Sequence, residues 1–361
     1  MRKEKSMEFK PLCIGDLTAK IPLIQGGMGV GVSLSNLAGN VALQGGIGII
    51  STAQIGYREE DFSKNPLNAN LRAIGKELEK AREIAKGGIV GFNIMVATRN
   101  YGEYVKEVCR QGADLIISGA GLPVDLPKLA EGFQTKLAPI VSSVKATSVI
   151  CKMWDRKYNV TPDMIVVEGP LAGGHLGFSL EDILSYTKEK FENEIKGIIL
   201  EVEKYAKKYG KKIPVVVAGG ISNEEDVNHY LNLGAQGVQV ATQFVTTEEC
   251  DASIEYKNTY INAKKEDITI VKSPVGMPGR AIANKFLDQV RQGNKQNITK
   301  CYQCLSKCNP LEIPYCITDA LIKAVRGDVD NGLLFCGANA YKAERIETVS
   351  DVFKRLGFIK K

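Results

Sequence analysis

The chain has 361 residues, 44% of them hydrophobic and 24% charged, which is typical of a globular protein with one large domain and room for a smaller companion. The net charge of +6 is spread along the chain, and the basic residues are not interspersed with aromatic residues as on a nucleic-acid-binding surface. A mild positive charge favours a small anionic partner. No apolar run could span a bilayer, and none follows the basic start MRKEKSMEFK, so we expect no membrane anchor or signal peptide. The nine cysteines are then expected to be reduced thiols in the cytoplasm.

Eight short apolar runs follow one another along the chain and read as strands. Because they are continuous rather than alternating, they predict parallel strands buried on both faces. Helical patterns lie between them, for example at 65–87, 100–113 and 223–235. The strands are predicted at 21–27, 46–52, 89–95, 114–121, 138–144, 163–170, 213–220 and 237–244.

Strand–helix alternation repeated eight times predicts an α/β protein with a (β/α)8 TIM barrel. A doubly wound sheet is the competing architecture, but the chain has no G-x-G-x-x-G after a strand and no Walker A sequence. We assign residues 1–265 to the barrel and 266–361 to a smaller, mainly helical cap with a cysteine cluster. Within this cap, 267–293 is predicted as a Pro/Gly-rich loop and a helix, and a terminal helix from Val349 to Leu356 is predicted to pack back on the barrel.

Glycine-rich segments end most of the predicted strands, at the edge of the barrel where active sites lie. Gly219, Gly220 and Thr242 follow two neighbouring strands, a place where such barrels hold a phosphate. Gln25 and Asn93 offer uncharged groups suited to a ring edge that carries both C=O and N–H. A phosphate site at one end of the barrel mouth and amide side chains at the other predict that flavin mononucleotide (FMN) binds across it. Lys145 could place a positive charge near the N1–C2=O region of the flavin.

Six motifs in order, QGGMG, GFNIM, SGAG, EGPLAGGHLG, VVAGGIS and GVQVATQF, resemble the FMN-dependent nitronate monooxygenases, formerly called 2-nitropropane dioxygenases. They are also similar to the sister group of FMN-containing enoyl-acyl-carrier-protein reductases. The resemblance covers about 20–285 and implies both the fold and the cofactor. It implies that the following residues contact the flavin ring, its ribityl chain or its phosphate: Gly26, Gly27, Met28, Asn93, Gly119, Lys145, Gly173, Gly174, Gly219, Gly220, Gln239, Ala241 and Thr242.

The chain has only two histidines, and we expect them to have different roles. It implies that His175, in the AGGH motif, is the catalytic residue near flavin N5. An imidazole suits this position because its pKa lies near neutrality. His229 lies in a predicted helix and is expected to have a surface or packing role.

The two groups differ in their electron donor, and the sequence leaves both reactions open. The preferred prediction is oxidation of an alkyl nitronate with oxygen to a carbonyl compound and nitrite. The alternative is an enoyl-acyl-carrier-protein reductase that takes hydride from NAD(P)H through FMN. A flavin redox sensor without turnover is a third hypothesis, and a homodimer is left open.

A cysteine cluster departs from the family pattern. Four cysteines form the pattern C-x2-C-x3-C-x7-C, namely Cys301, Cys304, Cys308 and Cys316, and Cys336 is a further candidate ligand. Four thiols at this spacing suit zinc or an iron–sulfur cluster, and free cysteines that pack a small cap are the alternative.

Overall fold

The computed structural model describes residues 9–360. Its central feature is a closed barrel of eight parallel strands, which in their order around the ring are Val215–Ala218, Gly237–Val240, Leu23–Gln25, Ile47–Ser51, Ile89–Met95, Leu115–Gly119, Lys136–Val141 and Ile165–Glu168. These eight lie at the eight predicted positions, so the (β/α)8 prediction is confirmed. The strands are β1 Leu12–Ile14, β2 Leu17–Ala19, β3 Leu23–Gln25, β4 Ile47–Ser51, β5 Ile89–Met95, β6 Leu115–Gly119, β7 Lys136–Val141, β8 Ile165–Glu168, β9 Gly174–His175, β10 Val215–Ala218, β11 Gly237–Val240, β12 Ile268–Lys272 and β13 Pro278–Ile282.

The barrel interior is filled by apolar side chains, among them Ile24, Ile49 and Val216. An antiparallel hairpin of β1 and β2 adds Leu12 and Ile14 to this interior cluster. Leu12 lies beside Gly237, the first residue of β11, since a Cβ on this glycine would be 3.3 Å from Leu12 Cδ2, so the hairpin closes the amino-terminal end of the barrel. The opposite end, at the carboxyl ends of the strands, is left for a site.

Helices surround the barrel and bury their apolar faces against it. In the helix that begins at Pro66, proline fits the first turn, where a missing N–H costs little. Among the described residues, no helix is both long and apolar enough to cross a membrane. The helices are α1 Ser35–Leu43, α2 Pro66–Ala85, α3 Tyr101–Arg110, α4 Leu126–Leu129, α5 Val144–Tyr158, α6 Leu180–Leu184, α7 Lys188–Tyr209, α8 Glu224–Asn232, α9 Thr242–Val245, α10 Ile254–Asn262, α11 Lys285–Arg291, α12 Ile317–Val325 and α13 Val349–Arg355, with 3-10 turns at Lys265–Asp267 and Ala340–Lys342.

The C-terminal part of the chain differs from the mainly helical cap that the sequence predicts. The stretch 267–293, predicted as a loop and a helix, forms the antiparallel hairpin β12–β13 before α11. Strand β13 also pairs with β9, so the hairpin joins the barrel's own loop after β8. At the chain's end, Phe353 of α13 packs against Phe244 of α9, with ring centroids 6.2 Å apart.

Candidate active site

A cleft opens at the carboxyl ends of the barrel strands, where the sequence predicts the active site. Loops after six of the strands and the C-terminal stretch 335–339 form its walls. All but two of the residues predicted for catalysis or cofactor binding line it. These are Gly26, Gly27, Met28, Asn93, Gly119, Gly173, Gly174, His175, Gly219, Gly220, Gln239, Ala241 and Thr242.

Gln25 and Lys145 are the two exceptions, and their predicted contacts with a ring are not supported. Gln25 is fully buried, and its side-chain amide forms hydrogen bonds inside the barrel wall. Its Oε1 accepts from Ile49 N–H (3.1 Å), and its Nε2 donates to Ile49 O (3.2 Å). The ladder between β3 and β4 contains only the pair Ile24–Ile47, so the side chain continues the pairing where the strands diverge. Lys145 is exposed in the first turn of α5, outside the cleft.

His175 is held in the cleft by the β12–β13 hairpin. It lies in β9, opposite Gly279 of β13, and Gly174 before it has φ +69°, a backbone conformation that favours glycine. The imidazole Nε2 lies 2.8 Å from Oγ of Ser273, a buried residue between the hairpin strands. The Phe335 ring packs edge-on, with centroids 4.8 Å apart. The imidazole is therefore fixed by one hydrogen bond and one aromatic contact.

Burial also sets the charge of this histidine. Loss of water around the ring lowers the pKa of His175 to about 4, since the charged form is the one that needs solvation. The imidazole is therefore neutral at physiological pH. Depending on which ring nitrogen carries the proton, Ser273 donates to Nε2 or accepts from it.

Arg280 of β13 fixes the loop that leads to His175. The side chain is 6% exposed, and its guanidinium donates to the carbonyl oxygens of Ala172 and, at 2.8 Å, Pro170. Its backbone pairs with Gly174. Because a guanidinium presents several donors in one plane, it can hold two carbonyls of a loop at once. Arg280 thus positions the segment between β8 and His175.

Glu168, the last residue of β8, supplies a carboxyl group to the cleft wall. Burial raises the pKa of Glu168 to about 8, although Arg280 and the Gly177 N–H act in the opposite direction. At neutral pH this carboxyl is therefore mostly protonated, and it can donate as well as accept a hydrogen bond.

The far end of the cleft is closed by the C-terminal stretch 335–339. Gly337 N–H donates to Thr242 Oγ1 (3.0 Å), and Asn339 Nδ2 donates to Gly220 O (2.6 Å). Gly219 and Gly220 have φ values of +103° and +78°, so this turn after β10 needs glycine. These contacts join the loops after β10 and β11, the two predicted to hold a phosphate.

The residues present fit a flavin by two observations. Gln239 Oε1 is buried in the cleft without a hydrogen-bond partner, which calls for a donor from a bound group. A Cβ on Gly26 would lie 3.3 Å from the Gln239 side chain, so glycine keeps access to this amide open. A ring edge with N–H and C=O groups supplies such a donor.

Sequence reasoning missed several residues of the site. Glu168, Ser273, Arg280, Phe335 and Gly337 all lie in or against the cleft. One signal was present: ITIVK and the turn SPVGMP have the alternation and the turn residues of a β-hairpin. Their partnership with the AGGH loop could not be derived from one sequence, since it depends on contacts about 100 residues apart in the chain.

The remaining predicted residues lie elsewhere. His229 is on α8, with Nε2 3.0 Å from Glu192 Oε1 of α7, outside the cleft. Cys336 lines the cleft rather than the cysteine cluster. The four clustered cysteines line a separate small cavity. Within residues 9–360, no group of three or more His, Cys, Asp or Glu side chains is placed to hold a metal ion.

Comparisons with known proteins agree with this arrangement. Residues 10–357 match the model of the nitronate monooxygenase family. A probable nitronate monooxygenase of Staphylococcus saprophyticus is 28% identical over 306 residues, which cover 79% of this chain and 82% of the relative. One from Staphylococcus aureus is 26% identical, covering 76% and 79%.

Two solved structures have similar folds. FabK from Thermotoga maritima superposes with a TM-score of 0.71 at 22% identity, covering 94% of this chain and 93% of its own. Nitroalkane oxidase from Streptomyces ansochromogenes superposes with a TM-score of 0.68 at 17% identity, covering 93% and 94%. At these identities the likeness concerns the fold.

Proposed function

Because the chain belongs to the nitronate monooxygenase family, a family of oxidoreductases, we propose that it binds FMN and oxidises alkyl nitronates with oxygen to a carbonyl compound and nitrite. The observation that carries the proposal is the neutral imidazole of His175, which is fixed in a cleft that has an unpartnered amide acceptor in its wall. A substrate would meet the imidazole and the bound ring in the same enclosed space.

The proposed flavin contacts divide along the cleft. Gln239 and Asn93 would bind the ring edge, while Gly219, Gly220 and Thr242 would enclose the phosphate end. Asn93 Nδ2 lies 3.3 Å from Ile117 O, which fixes this amide and leaves its oxygen to accept. When bound, the flavin supplies the electron acceptor that no side chain of the cleft can provide.

The chain's own residues act on the substrate through binding and proton control. A neutral imidazole binds the nitronate by hydrogen bonding rather than by charge, and it can take up a proton without first losing one. Ser273 and Phe335 hold its orientation, and Arg280 holds the loop on which it lies. Water is excluded by the same packing that lowers the pKa of the imidazole.

Nitrite release tests the proposal. The flavin-loaded protein is mixed with propionate 3-nitronate in air, without any nicotinamide, and nitrite is measured over time. Free FMN at the same concentration is the control. We expect catalytic nitrite formation with the protein alone. Absence of nitrite from fully loaded protein would overturn the assignment.

The enoyl reductase remains a second candidate because of one observation. Helix α6, which begins five residues after His175, exposes Leu180 and Leu184 to solvent at 51% and 77%. Two exposed leucines on the segment that follows His175 suit an acyl chain better than a small nitronate. Oxidation of NADPH that depends on an added enoyl thioester, without nitrite formation from the nitronate, would favour this reaction.

A further inference from the structure

The four clustered cysteines take no part in the proposed reaction, yet the fold brings them together. Cys301, Cys304, Cys308 and Cys316 are all free thiols and all line one small cavity between the loop after β5 and the start of α12. A backbone hydrogen bond joins the loop after β5 to the cysteine segment, since Arg99 N–H donates to Cys304 O (3.2 Å). We propose that this cavity is the site of an iron–sulfur cluster held by the four thiolates.

The shape of the site distinguishes a cluster from a single ion. Zinc requires its ligands to meet at one point, and within residues 9–360 no group of three or more His, Cys, Asp or Glu side chains is placed to hold a single ion. In an iron–sulfur cluster the thiolates are shared among several irons, so the ligands surround a volume. Four thiols around a common cavity match the second arrangement.

One backbone N–H already donates to a sulfur of the cysteine cluster. Gln303 N–H donates to Cys301 Sγ (3.4 Å). Cys316 is the N-cap residue of α12, so its thiol lies next to the backbone N–H groups of the first helical turn. Such bonds stabilise thiolates and are one of the means by which proteins adjust iron–sulfur clusters.

The charge of the cavity wall also suits a cluster with four thiolates. Arg99 and Lys300 line the cavity, and no acidic side chain does so among the described residues. Two basic side chains can offset the negative charge that four thiolates bring. One exposed cysteine, Cys301, leaves a side from which iron can enter.

The site adjoins the cleft. On α12, Ile317 lines the cysteine cavity and Leu321 lines the cleft. Residues four apart on a helix are neighbours on one face, so about one helical turn separates the two sites. An electron-carrying group would therefore lie beside the space proposed for the flavin.

Metal and sulfide content tests the proposal. The full chain is purified without oxygen, reconstituted with ferrous iron and sulfide, and analysed for iron, acid-labile sulfide and the EPR signal after dithionite reduction. The variants are Cys304→Ala and Cys316→Ala. The matched control is Cys13→Ala, an exposed thiol on β1 far from the cavity. Flavin content and melting temperature verify that each variant is folded.

We expect iron and sulfide to be bound together by the wild type and by Cys13→Ala, and to be lost from Cys304→Ala and Cys316→Ala while flavin is retained. If one variant fails to fold, the other and the wild type still decide the question. A protein that binds no iron or sulfide, that binds zinc without sulfide, or that binds iron equally in all variants would overturn the proposal. None of these readouts depends on nitronate oxidation, so the proposed function can fail independently.

Discussion

At the scale of single residues, His175 has the clearest role because burial and one hydrogen bond define its state. Replacement by asparagine removes the proton-accepting nitrogen and keeps a polar group of similar size. We expect His175→Asn to lower turnover with a nitronate about 100-fold or more, the range of a lost acid–base group. Steady-state rates and flavin content measure this.

The second histidine supplies the matched control for that variant. His229 lies outside the cleft, so His229→Asn should keep both rate and flavin. If His175→Asn turned over nitronate at the wild-type rate, the imidazole would not be the catalytic group.

The buried carboxyl of Glu168 makes stability depend on pH. Its pKa is about 8 in the folded protein, against an ordinary value of 4.5. The folded state thus binds more protons than the unfolded state between these values, so this group lowers the free energy of unfolding as the pH rises from 4.5 to about 8.

Glu168→Gln removes this dependence, since the amide does not ionise. We therefore expect the free energy of unfolding of the variant, measured relative to that of the wild type, to rise by about 1 kcal/mol or more from pH 5 to pH 8. Urea unfolding of both proteins at the two pH values measures the difference, because every other titrating group is shared. Equal pH dependence would show that Glu168 is not buried as described.

At the scale of elements, the β12–β13 hairpin joins the C-terminal part to the loop that carries His175. Arg280→Met keeps much of the side-chain volume but leaves the carbonyls of Pro170 and Ala172 without their donor. We expect lower turnover and a loss of roughly 2–3 kcal/mol in unfolding free energy, as for a hydrogen-bonded buried charge. Turnover and urea unfolding report the two effects.

Arg291→Met, on the exposed side of α11, is the control for Arg280→Met. It should leave both properties close to the wild type. Full activity in Arg280→Met would mean that the loop keeps its position without the arginine.

The turn after β10 gives a second test at this scale. Gly220 has φ +78°, and a Cβ there would lie 2.9 Å from Leu171 Cδ1. Gly220→Ala should therefore destabilise the fold by about 1 kcal/mol or more and also weaken flavin binding. Fluorescence titration of the flavin-free protein with FMN measures the affinity.

Gly210→Ala is the control for Gly220→Ala, because it introduces the same backbone strain at a position outside the cleft. Gly210 has φ +62° at the end of α7, but a Cβ there would meet nothing within 4 Å. This variant should share the destabilisation and keep the flavin affinity. If both variants bound FMN equally well, the turn would not hold the cofactor.

At this same scale, the limits of sequence reasoning are visible in particular elements. The eight barrel strands could be predicted because parallel strands buried on both faces are continuously apolar. The pairing of hairpin β12–β13 with Gly174–His175 cannot be predicted, because this two-residue strand is too short to show a strand pattern. The sequence does not show that β3 and β4 diverge next to Gln25, so it cannot reveal that the amide of this residue is taken up by the barrel wall.

At the scale of the whole molecule, the site depends on both ends of the chain. The N-terminal hairpin fills one end of the barrel, and the stretch 335–339 closes the cleft at the other. The order of motifs predicted most of the lining residues. It could not predict Phe335 or Gly337, because these come from the C-terminal part and reach the cleft only through tertiary contacts.

The proposed function requires that a nitronate gives its electrons directly to a flavin in this cleft. The most direct measurement is the visible absorbance of the flavin-loaded protein without oxygen, recorded before and after propionate 3-nitronate is added, and on a second sample with NADPH alone. We expect the nitronate to bleach the flavin band and NADPH to leave it unchanged. Bleaching by NADPH alone, with no change upon addition of the nitronate, would contradict the proposed function.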